Sequence, residues 1–209
     1  MINGLAIIRI LGIENINETQ MPQSIEFVFG TKAETLRRLG PLLNKSSVPD
    51  LVYFSTRDWI EKPSYLIQLI QETFGAEQLI VRSSAASEDG IHGALAGQFL
   101  SVLGVDCLDQ SAIANAVNRV IESYAKQVVE AQGEDQVIVQ QMVDRVLMSG
   151  VLFTQEMNTG APYFVINYDD ESGATDTVTS GGVYSNRTLY IFREAIDRVR
   201  SKRFKCLLG

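Results

Sequence analysis

Val81-Arg82-Ser83-Ser84-Ala85-Ala86-Ser87-Glu88-Asp89 is the stretch from which the rest of the chain can be read. Leu79 to Arg82 is a short apolar strand that runs into small polar residues. An arginine leaving a buried strand has its backbone held, so its guanidinium can present a fork to phosphate oxygens. The serines that follow add hydroxyl and amide donors. Taken alone, such a segment is more often a strand end whose arginine makes a structural ion pair. Residues 83–97 are rich in Ser, Ala and Gly and read as a loop.

Working outward, Gly93-Ala94-Leu95-Ala96-Gly97-Gln98-Phe99-Leu100-Ser101 continues that loop into a strand at 99–105. Small residues let backbone amides approach a phosphate closely. A plain hairpin loop would look the same. Further on, Gln136-Val137-Ile138-Val139-Gln140-Gln141-Met142-Val143 reads as a strand able to offer backbone groups to the edge of a flat base. Met142 is soft enough to lie against such a ring, although a methionine filling a core is the commoner use.

The remaining pattern surrounds these segments. Residues 24–30 read as a strand closed by glycine, and 32–39 as a short helix with Leu36 and Leu39 on one face. Leu51 to Phe54 is a strand, and Ser55 or Thr56 caps the helix after it, which Pro63 interrupts before 65–74 resumes it. Residues 109–132 form the clearest helix, with Ile113, Val117, Val120, Ile121, Tyr124, Val128 and Val129 at helical spacing. Strands are expected at 136–143, 146–155, 163–168 and 175–179, and a helix at 189–203. The order is mixed α/β, then a long helix, then neighbouring strands whose short turns favour an antiparallel sheet. A soft boundary falls between residues 105 and 135.

Of 209 residues, 45% are hydrophobic and 21% charged, a globular composition. The net charge of -7 gives no electrostatic reason to seek nucleic acid or an anionic membrane. No window approaches about 20 uninterrupted apolar residues, so no membrane span is expected. The N-terminus has no signal-peptide pattern. Cys107 and Cys206 stand far apart with no zinc spacing around them, which fits a reducing, cytoplasmic setting.

Together the segments carry more weight than any one. Arg-Ser-Ser-Ala-x-x-Glu-Asp, then Ala-Gly-Gln, then Val-Gln-x-Met-Val, then Gly150-Val151-Leu152-Phe153-Thr154, occur in the order and approximate spacing of one family. They resemble the ATP-binding domain of the phosphoenolpyruvate synthase and pyruvate phosphate dikinase family, which includes rifampin phosphotransferases. Gly30-Thr31-Lys32-Ala33-Glu34-Thr35-Leu36 resembles that family's Gly-Gly-Lys-x-x-x-Leu, with Thr31 in place of the second glycine. The likeness spans about residues 28 to 155. The Asn167-Tyr168-Asp169-Asp170-Glu171 segment resembles a divergent branch that includes L-glutamine kinase. Read from its residues alone, that acidic turn is a solvated hairpin tip.

The resemblance implies an α+β, ATP-grasp-like fold with residues 1–130 as one lobe, 131–209 as a second, and an antiparallel sheet in the second. It implies ATP and Mg²⁺ as ligands. Lys32 and Arg82 match the basic pair on the ATP phosphates and the catalytic positions. Gly97 and Ser101 match the loop over the phosphates, and Gln140, Met142 and Val143 the segment that holds adenine. It implies a phosphotransferase that phosphorylates a histidine on another domain for transfer to a small acceptor. After the acidic turn the family's metal-binding Asp-x-Glu strand and its later Gln-x-Arg segment do not occur, nor does its Thr-x-His phosphohistidine segment, so no metal ligand is assigned. The only histidine, His92, lies in the small-residue loop and reads as solvent-facing. These absences and the apolar ending Cys206-Leu207-Leu208-Gly209 lead to the expectation of a truncated domain, weakly active or inactive alone, whose partners are the missing phosphohistidine and acceptor domains. A non-catalytic module that senses nucleotide or docks a partner is the alternative.

Overall fold

A computed structural model describes residues 27–85, 100–125, 135–173 and 187–199. Among them the chain forms two compact units. Of the described residues, those up to Leu43 and from Val48 to Met142 belong to the first, and Asn44–Ser47 and those from Val143 onward to the second.

The first unit is built on a sheet of order β1-β4-β2-β3, with β1 at Leu51–Ser55, β2 at Gln78–Ser84, β3 at Ser101–Asp106 and β4 at Gln136–Gln141. Every pairing among these strands is antiparallel. Paired residues point to one side, so the register sorts the side chains into two faces. Val52, Phe54, Leu79, Val81, Val137 and Val139 share one face and are buried. Against them pack α3, Pro63–Phe74, through Leu66, Ile70 and Phe74, and α4, Gln110–Ala125, through Ile113, Val117 and Val120. Each such burial contributes about 1.5–3 kcal/mol.

Local signals set the ends of these elements. Ser55 closes β1 and caps α2, Thr56–Glu61: its Oγ accepts from the Asp58 amide at 3.0 Å while Asp58 Oδ2 accepts from the Ser55 amide at 3.1 Å. Pro63 opens α3 at a position where no amide is needed. Gly104 has φ +68° where β3 carries an extra residue between the Leu79–Val105 and Val81–Val102 pairs, a bulge that favours glycine.

Several expectations need correction. Residues 27–30 form no strand: Arg38 Nη1 donates to the Val28 carbonyl at 2.9 Å, and the Gly30 amide donates to Thr35 Oγ1 at 3.1 Å, so side chains of α1, Lys32–Leu39, take the groups a strand partner would use. β4 lies beyond residue 130 yet pairs with β1 and β2, not with the strand that follows it. Residues 187–192 are not helical. They form strand β7, Arg187–Phe192, and Arg193–Arg198 turns as a 3-10 helix, while residues 200–203 lie outside the described residues. The helix expected at 109–132 is present over Gln110–Ala125, with residues 126–132 outside the described residues, and strand 146–155 is observed as β5, Ser149–Phe153. The strand expected at 175–179 lies outside the described residues.

The second unit carries the order β5-β6-β7, with β6 at Tyr163–Asp169 and both pairings antiparallel. Val151 and Val165 are buried on one face, Ile166 and Ile191 on the other. The fold is α+β with antiparallel sheets, as expected. No described helix is long and apolar enough to cross a membrane.

Candidate functional site

The second face of the β1-β4-β2-β3 sheet is polar near one end. Arg82 pairs with Ser101 on β3 and Ile138 on β4, and Ser84, two residues along on the same side, pairs with Gln136. Ile80, also on this side, pairs with Gln140. The alternation explains why Val81 and Ser83 turn to the core while Arg82 stays half-buried.

Helix α1 docks onto this face by its N-terminus. The Ala33 amide donates to Ser84 Oγ at 3.0 Å. Thr31 Oγ1 accepts from the Glu34 amide, capping the helix, and donates to Gln136 Oε1 at 2.6 Å. Gln136 Nε2 donates to Glu34 Oε1 at 3.1 Å. Farther along, Arg37 lies over the Tyr53 ring, 5.6 Å from its centroid. Ala33 is fully buried in the contact. Lys32, the first residue of α1, is therefore held beside the end of β2 that carries Arg82.

The structure thus brings Lys32, Arg82 and Ser101 to one region of the first unit. Gln140 lies on the same face, buried, with Nε2 donating to the Pro49 carbonyl at 3.2 Å. Its side-chain amide supports the chain at Pro49, just before β1. Met142 continues β4, its amide donating to the Gln78 carbonyl at 2.7 Å and its sulfur accepting from the Gly104 amide at 3.0 Å. Val143 belongs to the second unit. Gly97, Glu88, Asp89 and His92 lie outside the described residues.

Sequence reasoning took Ser84 only as one of the serine donors after Arg82 and passed over Gln136 as a site-building residue; Tyr124 belongs to the support behind the sheet. Tyr124, buried on α4, accepts from the Ser84 amide at 3.2 Å and donates to the Gln136 carbonyl at 2.5 Å. Its hydroxyl bridges the β2–β4 pair where the strands end. The signal for Ser84 was its two-residue spacing from Arg82; nothing local marked Tyr124. Cys107 is no nucleophile here: burial pushes its thiol up, and it sits in the core behind the sheet.

The acidic segment of the second unit is not a solvated tip throughout. Asp169 is buried, and its Oδ1 accepts from the Glu171 and Ser172 amides at 2.9 and 3.0 Å. Asp170 and Glu171 pair with Arg187. The segment is an ordered turn at the end of β6. Among the described residues no group of three His, Cys, Asp or Glu side chains could hold a metal ion.

No curated protein matches the chain. A family model does: the pyruvate phosphate dikinase AMP/ATP-binding domain matches residues 57–188, more than half of the chain. The matched span contains β2 with Arg82, all of β3 to β6, and helix α4; α1 with Lys32 precedes it.

Proposed function

The chain belongs to the family of the pyruvate phosphate dikinase AMP/ATP-binding domain, and on that premise we propose that Lys32 and Arg82 grip the triphosphate of ATP from one face of the first unit's sheet. The observation that carries this is the Ala33–Ser84 hydrogen bond of 3.0 Å, which sets the start of α1 against the strand of Arg82. Two residues along a strand span roughly 7 Å, a distance that a triphosphate and two long basic side chains bridge.

The chemistry suits the pair. Phosphoryl transfer needs positioning and charge neutralisation more than covalent help. Lys32 supplies a compact charge on a flexible stem, and Arg82 a planar fork that meets phosphate oxygens in pairs. Ser101 faces the phosphates from the start of β3, opposite Arg82. Met142 borders the adenine, while Gln140 holds the segment behind it. Mg²⁺ enters as its ATP complex, because phosphate oxygens are the hard ligands it prefers.

In the whole enzyme the phosphoryl group passes to a histidine on another domain and then to a small acceptor. L-glutamine is the acceptor suggested by the resemblance of the Asn167–Glu171 segment. The setting is the cytoplasm, where ATP is abundant.

Isothermal calorimetry of Mg-ATP with the wild type and Arg82→Ala tests the site. The expected result is saturable binding by the wild type and affinity lower by roughly tenfold or more in the variant, the scale of a lost charge-assisted hydrogen bond. Equal affinity for both removes Arg82 from the site.

A further inference from the structure

We infer that Ser84 is a positioning residue, whose hydroxyl sets Lys32 against Arg82 by holding the first turn of α1 on the sheet; this rests on the nucleotide reading above. Ser84 is fully buried, and so is Ala33, whose amide it accepts. The bond joins segments 51 positions apart in the sequence. It is one link of a closed ring. From Ser84 the ring runs through its own amide to Tyr124 Oη, on to the Gln136 carbonyl, and through the Gln136 side chain to Thr31, the cap of α1.

Three facts separate positioning from general stability. Ser84 touches α1 one residue after Lys32 and lies on the strand two residues after Arg82, so its bond ties the backbone beside one basic residue to the backbone beside the other. The amides at the start of α1 are also used internally: Ala33 donates to Ser84, Glu34 to Thr31 Oγ1, and Thr35 to the Thr31 carbonyl. The helix therefore delivers positive charge to a phosphate through the Lys32 side chain, and the placement of that side chain depends on how α1 is seated. Finally, Tyr124 offers an internal control. Its hydroxyl is in the same ring but ties β2 to β4 and does not touch α1.

The test uses the full chain and Mg-ATP calorimetry, with thermal melts alongside. Ser84→Ala is expected to weaken ATP binding roughly tenfold, the effect of one lost buried hydrogen bond. Tyr124→Phe is expected to lower the melting temperature while holding affinity within about twofold. Lys32→Ala is expected to cost clearly less in the Ser84→Ala background than in the wild type, since coupled residues are not additive. An unchanged affinity in Ser84→Ala, an equal loss in Tyr124→Phe, or a Lys32→Ala penalty that simply adds, overturns the positioning role. Should Ser84→Ala not fold, Ser84→Cys, which keeps a weak acceptor at the same place, is read the same way with a smaller loss. A wild type that does not bind ATP defeats the nucleotide reading itself, which separates the two failures.

Discussion

A residue's role here follows from what its polar atoms meet. Arg82 was legible as a type, since an arginine leaving a strand can present its fork to phosphate oxygens, and Lys32 came from the family resemblance; that both grip one triphosphate is the proposal made above. The roles of Ser84 and Gln136 were not legible, because their partners lie 51 and 105 positions away and no local pattern encodes such a pairing. Glu156 shows the same logic in the second unit, in a turn whose Asn158-Thr159-Gly160 chemistry was plain from the sequence. Its carboxylate accepts from the Thr159 hydroxyl at 2.6 Å and from the amides of Thr159 and Asn158 at 2.7 and 3.1 Å. The Thr159 hydroxyl, then the Asn158 amide, hold it down to about 2. A carboxyl depressed in the folded state stabilises above its unfolded pKa, and that contribution disappears as pH falls toward 2. Carbon-detected NMR of the Glu156 carboxyl should give a midpoint near 2 in the wild type and one closer to the ordinary glutamate range in Thr159→Val. A wild-type midpoint in that ordinary range would show that the turn does not form in solution.

Elements were legible where their punctuation is local. Ser55 was a candidate cap from its place before an apolar-periodic run, and it closes a reciprocal box with Asp58. The Ser55 hydroxyl also holds the Asp58 carboxyl below its usual range. Ser55→Ala is expected to lower stability by about 1 kcal/mol, read by urea denaturation, with ATP affinity unchanged. No loss of stability would mean that packing of Trp59 alone sets the start of α2. Two elements were misread for a common reason. β4 was assigned to the strands that follow it, because sequence neighbours usually pair, but β1 and β2 reach it across long separations. At β7, Ile191, Phe192, Ala195, Ile196 and Val199 fit a helical stripe, yet β6 exposes an edge there, and Leu189 to Ile191 pair with it residue by residue. Tertiary pairing overrode local spacing in both cases.

For the molecule as a whole, the order of short motifs carried the family where no single motif did. The matched span of 57–188 agrees with that reading over its central and later motifs. Composition contributed only exclusions: a chain of net charge -7 gathers an anion by local basic groups and not by its overall field. On the proposed reading, such a local exception is built beside the sheet's polar face, from two basic residues fifty positions apart. The most direct check is a structure of the full chain with Mg²⁺ and a non-hydrolysable ATP analogue. The expected result places Lys32 Nζ and the Arg82 guanidinium both within about 3 Å of phosphate oxygens of one bound nucleotide. A triphosphate seated away from this face, or one that meets neither side chain, would contradict it.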